Sequence, residues 1–362
     1  MATIPETGLL VIADLTGYTA YLSRGEIEHA PTIAGDLLET IIGRLEPPFR
    51  LAKLEGDAAF LYVEDGRADQ SLLVDALEAS YIAFRRRLRS IEGATSCSCN
   101  ACGLAPRLDL KLVVHHGPFV RTVIAGRDEL AGSSVIVAHR LLKSRAVSTA
   151  RTNGFVLFTR DAIDALDLDP VALALVESHE SIEHLGSVST FVLDLEARWR
   201  SDSDERRLGG AGGRVLVDLT IDLQADGASA WRHLTSPELR PLWEGPIVIE
   251  EVSVGGQRGV GTTSQCVTGR LATLEEIVDW QPYGHVGWRL AVPDVGPVEA
   301  TLDLDPVTDG TRVHMRWVAP ADAQVDPQVA GRLVAQKHAA LRRLARVLEG
   351  TLVVAGAKEG SS

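Results

Sequence analysis

Leu9-Leu10-Val11-Ile12-Ala13-Asp14-Leu15-Thr16-Gly17-Tyr18-Thr19 reads as an apolar strand that closes on a carboxylate and turns at a glycine. A second stretch repeats the device. Leu51-Ala52-Lys53 runs into Leu54-Glu55-Gly56-Asp57, and Ala58-Ala59-Phe60-Leu61-Tyr62 resumes as a strand. Asp14 and Asp57 each stand at a strand end, where carboxylate oxygens can hold divalent cations against a triphosphate. Aspartate is also a common turn residue, so the competing reading makes both acids plain turn formers of a fold kept for binding.

These two segments resemble the class III adenylyl/guanylyl cyclases. That family's pattern is an Asp-x-x-Gly-Phe-Thr strand end, a Lys-x-x-Gly-Asp hairpin, and a helix carrying an asparagine with an arginine four residues later. Residues 8 to about 195 fit it, with Tyr18 in the phenylalanine position. The third motif is half matched: along Glu129 to Arg140, Arg140 falls on the transition-state arginine and Ile136 on the asparagine.

The resemblance implies that Asp14 and Asp57 bind Mg²⁺ or Mn²⁺ for an in-line attack on the α-phosphate of a purine nucleoside triphosphate. It implies that Lys53 and Glu129 read the base, Glu129 replacing the usual aspartate. Backbone N–H groups of Leu15, Thr16, Gly17 and Tyr18 would cradle phosphate oxygens. It also implies a ferredoxin-like α+β fold and a head-to-tail homodimer. Isoleucine offers the ribose neither donor nor acceptor, and losing one preorganised polar group costs ~10²–10³ in rate. The expectation is a nucleotide-binding domain with weak or absent cyclase activity. A fully active adenylyl cyclase, or a scaffold that only dimerises, are the alternatives.

A chain of 362 residues suggests about two domains, and a net charge of −13 argues against nucleic acid. No basic run followed by an apolar stretch opens the chain, and no window holds eighteen apolar residues in a row. The expectation is therefore a cytoplasmic protein with no membrane span. Four cysteines, clustered three plus one, do not make a disulfide framework. Charged, serine and glycine residues from Arg198 to Gly213 mark a flexible linker. This divides the chain into a cyclase-like domain over 1–197, the linker 198–213, a second domain over 214–356 and a disordered tail over 357–362.

Within the first domain, Ile33, Leu37, Ile41 and Leu45 recur at helical spacing behind Pro31, and Leu73, Leu77, Tyr81, Phe84, Leu88 and Ile91 form a second stripe. The run Arg85-Arg86-Arg87-Leu88-Arg89 reads as a solvated C-terminal face. Arg107 to His116 alternates as a strand, and Phe119 to Ile124 reads as its hairpin partner after Gly117-Pro118. Between them and the second helix lies Cys97-Ser98-Cys99-Asn100-Ala101-Cys102. Three thiols in six residues can converge on Zn²⁺, which wants a fourth ligand. His115 and His116 are the nearest candidates. Adjacent strand residues point to opposite faces, so only one can serve; the choice between them stays open, with His116 taken as the candidate ligand beside Cys97, Cys99 and Cys102. A merely exposed or redox-sensitive loop is the alternative.

The second domain reads as strand, short helix, six further strands, and a long helix from Asp326-Pro327 to Gly350. This order, with Ala230-Trp231-Arg232-His233-Leu234, Trp243 and Leu274 to Pro282, resembles the START/polyketide-cyclase-like superfamily, the helix-grip fold. The resemblance implies a curved sheet closed on the helix around an apolar cavity for a hydrophobic small molecule. Trp288, Met315 and Trp317 are candidates to line it, and His285, His314 and Arg316 to add polar contacts. Plain core is the alternative for the aromatics, and a non-enzymatic carrier or regulator the alternative for the whole protein.

Overall fold

The structure is a computed structural model that describes residues 4–25, 29–94, 99–143, 154–205, 213–268 and 271–357. The chain divides into two units, Met1–Ser203 with Gly255–Gln257, and Asp204–Val254 with Arg258–Ser362.

The first unit opens with β1 (Glu6–Thr16), α1 (Tyr18–Arg24), α2 (Ala30–Leu45), β2 (Arg50–Glu55), β3 (Ala58–Glu64) and α3 (Gln70–Ala94). Then come α4 (Asn100–Leu104), β4 (Asp109–Ile124), β5 (Arg127–Ala131), α5 (Ser133–Leu141), β6 (Phe155–Thr159), α6 (Arg160–Ala165), β7 (Val176–Ile182), β8 (Gly186–Asp194) and α7 (Leu195–Glu205). The sheet runs β2-β3-β1-β4-β6-β8-β7. Its first four strands are antiparallel neighbours, with α2 and α3 as the crossovers, which is the ferredoxin-like order expected from the sequence. Leu9 to Ala13 are all buried because β1 sits mid-sheet with both faces covered. On one face Leu10, Ile12, Phe60, Tyr62 and Phe119 pack around Ala138 of α5.

Three expectations change here. Gly117-Pro118 does not turn the chain: β4 continues for 16 residues, pairing with β1 through Phe119 and then with β5. The glycine serves close packing instead, since a Cβ on Gly117 would lie 2.4 Å from Ser134 Oγ. The basic run of α3 is not a bare solvated face. Arg87 makes a two-pronged contact with Asp36 at 2.6 and 2.8 Å, Arg85 pairs with Glu196, and the Arg89 guanidinium lies 4.6 Å above the Trp199 ring. Trp199 is buried, so residues 198–205, read as linker, lie in a helix whose start is anchored in the first unit. Residues 206–212 lie outside the described ones.

The second unit comprises β9 (Arg214–Leu223), α8 (Gly227–Thr235), α9 (Arg240–Glu244), β10 (Val248–Val252), β11 (Thr263–Thr268), β12 (Leu271–Gln281), β13 (His285–Val292), β14 (Gly296–Val307), β15 (Gly310–Ala319) and α10 (Pro327–Ala357). Seven antiparallel strands run β10-β11-β12-β13-β14-β15-β9. Register shifts at Ile277/Asp279 and Trp317/Val318 are the kind of irregularity that bends strands. Asp226 caps α8 through the Ser229 amide, and Asp326 accepts from the Gln328 amide at the start of α10. Leu333, Leu341, Leu344 and Leu348 are the buried stripe of that helix. It runs past Gly350, which the sequence suggested as its end. A lone glycine costs a helix only about 1 kcal/mol and ends it only where the backbone turns left-handed, and Gly350 is not among the positive-φ glycines. Among the described residues no helix is long and apolar enough to cross a membrane.

His115 lies in the middle of the first sheet, where its Nδ1 and Thr159 Oγ1 share a 3.0 Å hydrogen bond. Burial holds its imidazole below the ordinary value, and the Asp161 carboxylate opposes this only in part. As pH falls through the ordinary imidazole range the unfolded chain takes up a proton that the folded one refuses, so stability is lost in that direction. Thermal melts between about pH 7 and pH 5 should show falling stability, with a flatter dependence in His115→Gln. Equal slopes in the two proteins would contradict this.

Candidate functional site

The register of β1 sets the first site. Asp14 pairs across to Ala58 on one side and to Lys111 on the other, and the Leu15 amide donates to the Asp57 carbonyl at 3.1 Å. Asp14 and Asp57 thus meet at one corner. Burial raises the Asp57 carboxyl and the Asp14 charge adds to that, while the Lys111 ammonium pulls the other way. Lys111, which the sequence reading passed over, puts its Nζ 2.9 Å from Asp14 Oδ2 and donates to the Leu142 carbonyl at 3.2 Å. A cation of the chain itself therefore pairs with Asp14 and offsets part of the charge at the corner. With that ammonium in place one Asp14 oxygen is already engaged by the chain itself, so a divalent ion at this corner would have to displace the lysine. The proposed phosphate cradle also loses a donor, because the Leu15 amide is already spent on Asp57. Gly17 takes a left-handed φ of 90° ahead of α1, as its turn requires. Thr16 ends β1, and Tyr18 begins α1.

The second group lies around β2. Lys53 Nζ stands 3.0 Å from Glu129 Oε2 and 3.0 Å from Glu55 Oε1. These two hydrogen bonds, Glu129 first, raise the lysine above its ordinary value. Glu55 also meets His139 Nε2 at 2.9 Å, while His139 Nδ1 is 2.8 Å from the Val135 carbonyl. Glu55 and His139 were missed, although Glu55 lies two residues from Lys53 and so on the same strand face. Ile136 and Arg140, one turn apart on α5, are both exposed.

The cysteine cluster is rearranged. His116 Nε2 pairs with Asp65 at 3.0 Å and His115 is turned to Thr159, so neither is the ligand sought. His29, at the N-terminus of α2, takes that place: its Nδ1 lies 3.2 Å from Cys99 Sγ and 4.0 Å from Cys102 Sγ. Cys97 lies outside the described residues.

In the second unit a cavity of about 420 Å³ opens beside α10. Leu290, Val292, Leu333 and Trp317 give it apolar walls. Trp288 and Met315 line the smaller adjoining space with Trp317. His285 and His314 line neither: His285 Nδ1 binds Asp303 at 2.6 Å and His314 Nε2 binds Asp218 at 2.8 Å. Arg316, likewise absent from both linings, alternates with Met315 and Trp317 along β15. Polar character comes instead from a buried network. Arg240 reaches Glu244 at 2.6 Å and Glu275 at 2.8 Å, and Lys337 reaches Glu244 at 3.3 Å. Burial alone would raise Glu244, but the Arg240 and Lys337 charges outweigh it and hold the carboxylate low. The Cys266 thiol on the wall is pushed up to about 12 by burial and by Glu275, so it stays protonated. Lys337 Nζ sits 4.3 Å from the Trp317 ring centre.

Residues 34–150 match a family described as a protein of unknown function (DUF2652), and residues 214–349 match polyketide cyclase/dehydrase and lipid transport. The uncharacterized protein Rv2561/Rv2562 of Mycobacterium tuberculosis (strain ATCC 25618 / H37Rv) is 32% identical over 159 residues, covering 44% of this chain and 72% of that protein. The chain belongs to its family. Among solved structures it is similar to the adenylyl cyclase CyaB from P. aeruginosa, with 15% identity and a TM-score of 0.39 over 54% of this chain and 97% of that one. Protein MLL2253 from Mesorhizobium loti shares 17% identity, with a TM-score of 0.32 over 38% of this chain and 98% of that one.

For this member of the Rv2561/Rv2562 family the Lys111 contact has a measurable effect. Removing the ammonium leaves two carboxylates with no cation of the chain beside Asp14, which an external cation can then pair with. Calorimetric titration with Mn²⁺ should find Lys111→Met binding more than about tenfold tighter than wild type. Unchanged or weaker binding would refute the assignment.

Proposed function

We propose that this protein works by binding rather than turnover: its second unit takes up an amphipathic small molecule, and its first is a cyclase-like module with weak or absent cyclase activity. The observation that carries the reading is the cavity of about 420 Å³, within the size range of small-molecule sites. Its apolar walls suit a hydrocarbon or fused-ring body. The Arg240–Glu275 and Glu244–Lys337 groups at its edge suit a polar end, since each can exchange one internal partner for a ligand oxygen or nitrogen. The family described as polyketide cyclase/dehydrase and lipid transport, matched by residues 214–349, supports ligands of that kind.

Two features of the first unit support the lack of turnover: the Lys111 ammonium on Asp14, and the exposed Ile136 where the resemblance wants an amide. A second reading, purine nucleotide binding by that unit, is favoured by the 3.0 Å Lys53–Glu129 pair, a donor beside an acceptor. The head-to-tail homodimer belongs with it.

Calorimetric titration of the full chain with long-chain fatty acids, sterols and polycyclic polyketides should give saturable binding of at least one class at one site per chain. Leu290→Trp, which fills the cavity, should abolish it while the circular dichroism spectrum is kept. No binding by any class sinks the reading. In parallel, ATP or GTP with Mn²⁺ should yield no more than trace cyclic product. Nucleotide at 100 times its Kd would add about 2.7 kcal/mol of stability, lost in Lys53→Ala. Robust turnover abolished by Asp57→Ala would instead make the protein a cyclase.

A further inference from the structure

The His29, Cys99 and Cys102 side chains are brought together from two parts of the chain 70 residues apart. Cys99 caps α4 from an extended conformation, and its Sγ accepts the Cys102 amide at 3.4 Å. This turn places both sulfurs on the side of His29, and all three ligand atoms lie within 4.8 Å of one another. The backbone holds them there. Gly25, just after α1, lies against α4 so closely that a Cβ on it would come within 3.2 Å of the Ala101 Cβ. The Ile33 amide donates to the His29 carbonyl at 3.0 Å and fixes the first turn of α2.

The spacing matches a tetrahedral ion. Zn–S of about 2.3 Å and Zn–N of about 2.0 Å at a tetrahedral angle separate nitrogen and sulfur by about 3.6 Å. The observed 3.2 and 4.0 Å bracket that value. Both sulfurs address the same nitrogen, Nδ1, as one ion between them requires. Two thiolates and an imidazole select a soft or borderline cation over Mg²⁺ or Ca²⁺.

We propose that His29 Nδ1, Cys99 Sγ and Cys102 Sγ bind one Zn²⁺, with the fourth position left to water or a further donor. Binding displaces one proton from each thiol to solvent, leaving two thiolates and a neutral imidazole around the dication. The ion ties the start of α2 to α4 and closes a long loop, which stabilises the unit by restricting the unfolded chain. It clamps the helical corner that follows the Asp14–Gly17 turn, separately from the Lys111 ion pair.

The test uses full-length protein purified under reducing conditions. Elemental analysis should find about one zinc per chain. After chelator stripping, Co²⁺ should restore intense tetrahedral d–d bands and a thiolate-to-cobalt charge-transfer band, and stripping should lower the melting temperature. Cys99→Ser and Cys102→Ser should each weaken the charge-transfer band, and His29→Ala should weaken Co²⁺ affinity more than about tenfold. His116→Ala should leave both unchanged. If a variant fails to fold, zinc competition against the cobalt-loaded wild type answers the same question. Wild-type protein that takes up neither ion, a Cys99–Cys102 disulfide that forms without metal under these conditions, or a cobalt complex indifferent to His29→Ala would overturn the proposal.

Discussion

The first unit is organised around one ion pair, Lys111 Nζ to Asp14 Oδ2 at 2.9 Å. It joins the central strand to its neighbour β4, and through the Leu142 carbonyl it reaches the end of α5. Burial pushes the Asp57 carboxyl toward its neutral form, and the neighbouring Asp14 charge adds to that. An external ion or an internal cation can relieve the repulsion between the two. Here a cation of the chain lies against Asp14. The same contact engages one of the Asp14 oxygens that the proposed lack of turnover turns on.

Charge is handled in a related way in the second unit. Arg240, Glu244, Glu275 and Lys337 together carry no net charge, and each meets at least one opposite partner. Burying such a set is a cost that a fully apolar core would avoid. The network lies beside the cavity, with the Lys337 ammonium over Trp317, and under the proposed function a ligand's polar end would find partners there without an unpaired charge being buried. The Arg343 guanidinium donates to the Trp243 and Glu244 carbonyls at 2.7 and 2.9 Å, satisfying the end of α9 and fixing the long helix against it.

Much of the fold was legible in the sequence, because local pattern and element coincide along most of the chain. The apolar run Leu9–Ala13, the stripes of α2, α3 and α10, and the regular strands of the second unit carry their own periodicity. What escaped depends on pairing between distant residues. Lys111 reads as one polar residue in an alternating strand, and only the register Asp14↔Lys111 gives it a partner. His29 precedes an ordinary helix, with nothing nearby in sequence to mark it as a companion of Cys99 and Cys102. Gly117-Pro118 has turn chemistry but sits in a long strand, where Gly117 pairs with Gly8 and close packing against Ser134 wants the glycine. In each case tertiary contact overrode the local signal.

The most direct test of the binding-without-turnover account is a crystal structure of the wild-type protein grown with ATP and Mn²⁺, with manganese located by its anomalous scattering. The account predicts that Lys111 stays on Asp14 and that no manganese bridges Asp14 and Asp57. Two ions between those carboxylates, with the lysine displaced, would contradict it.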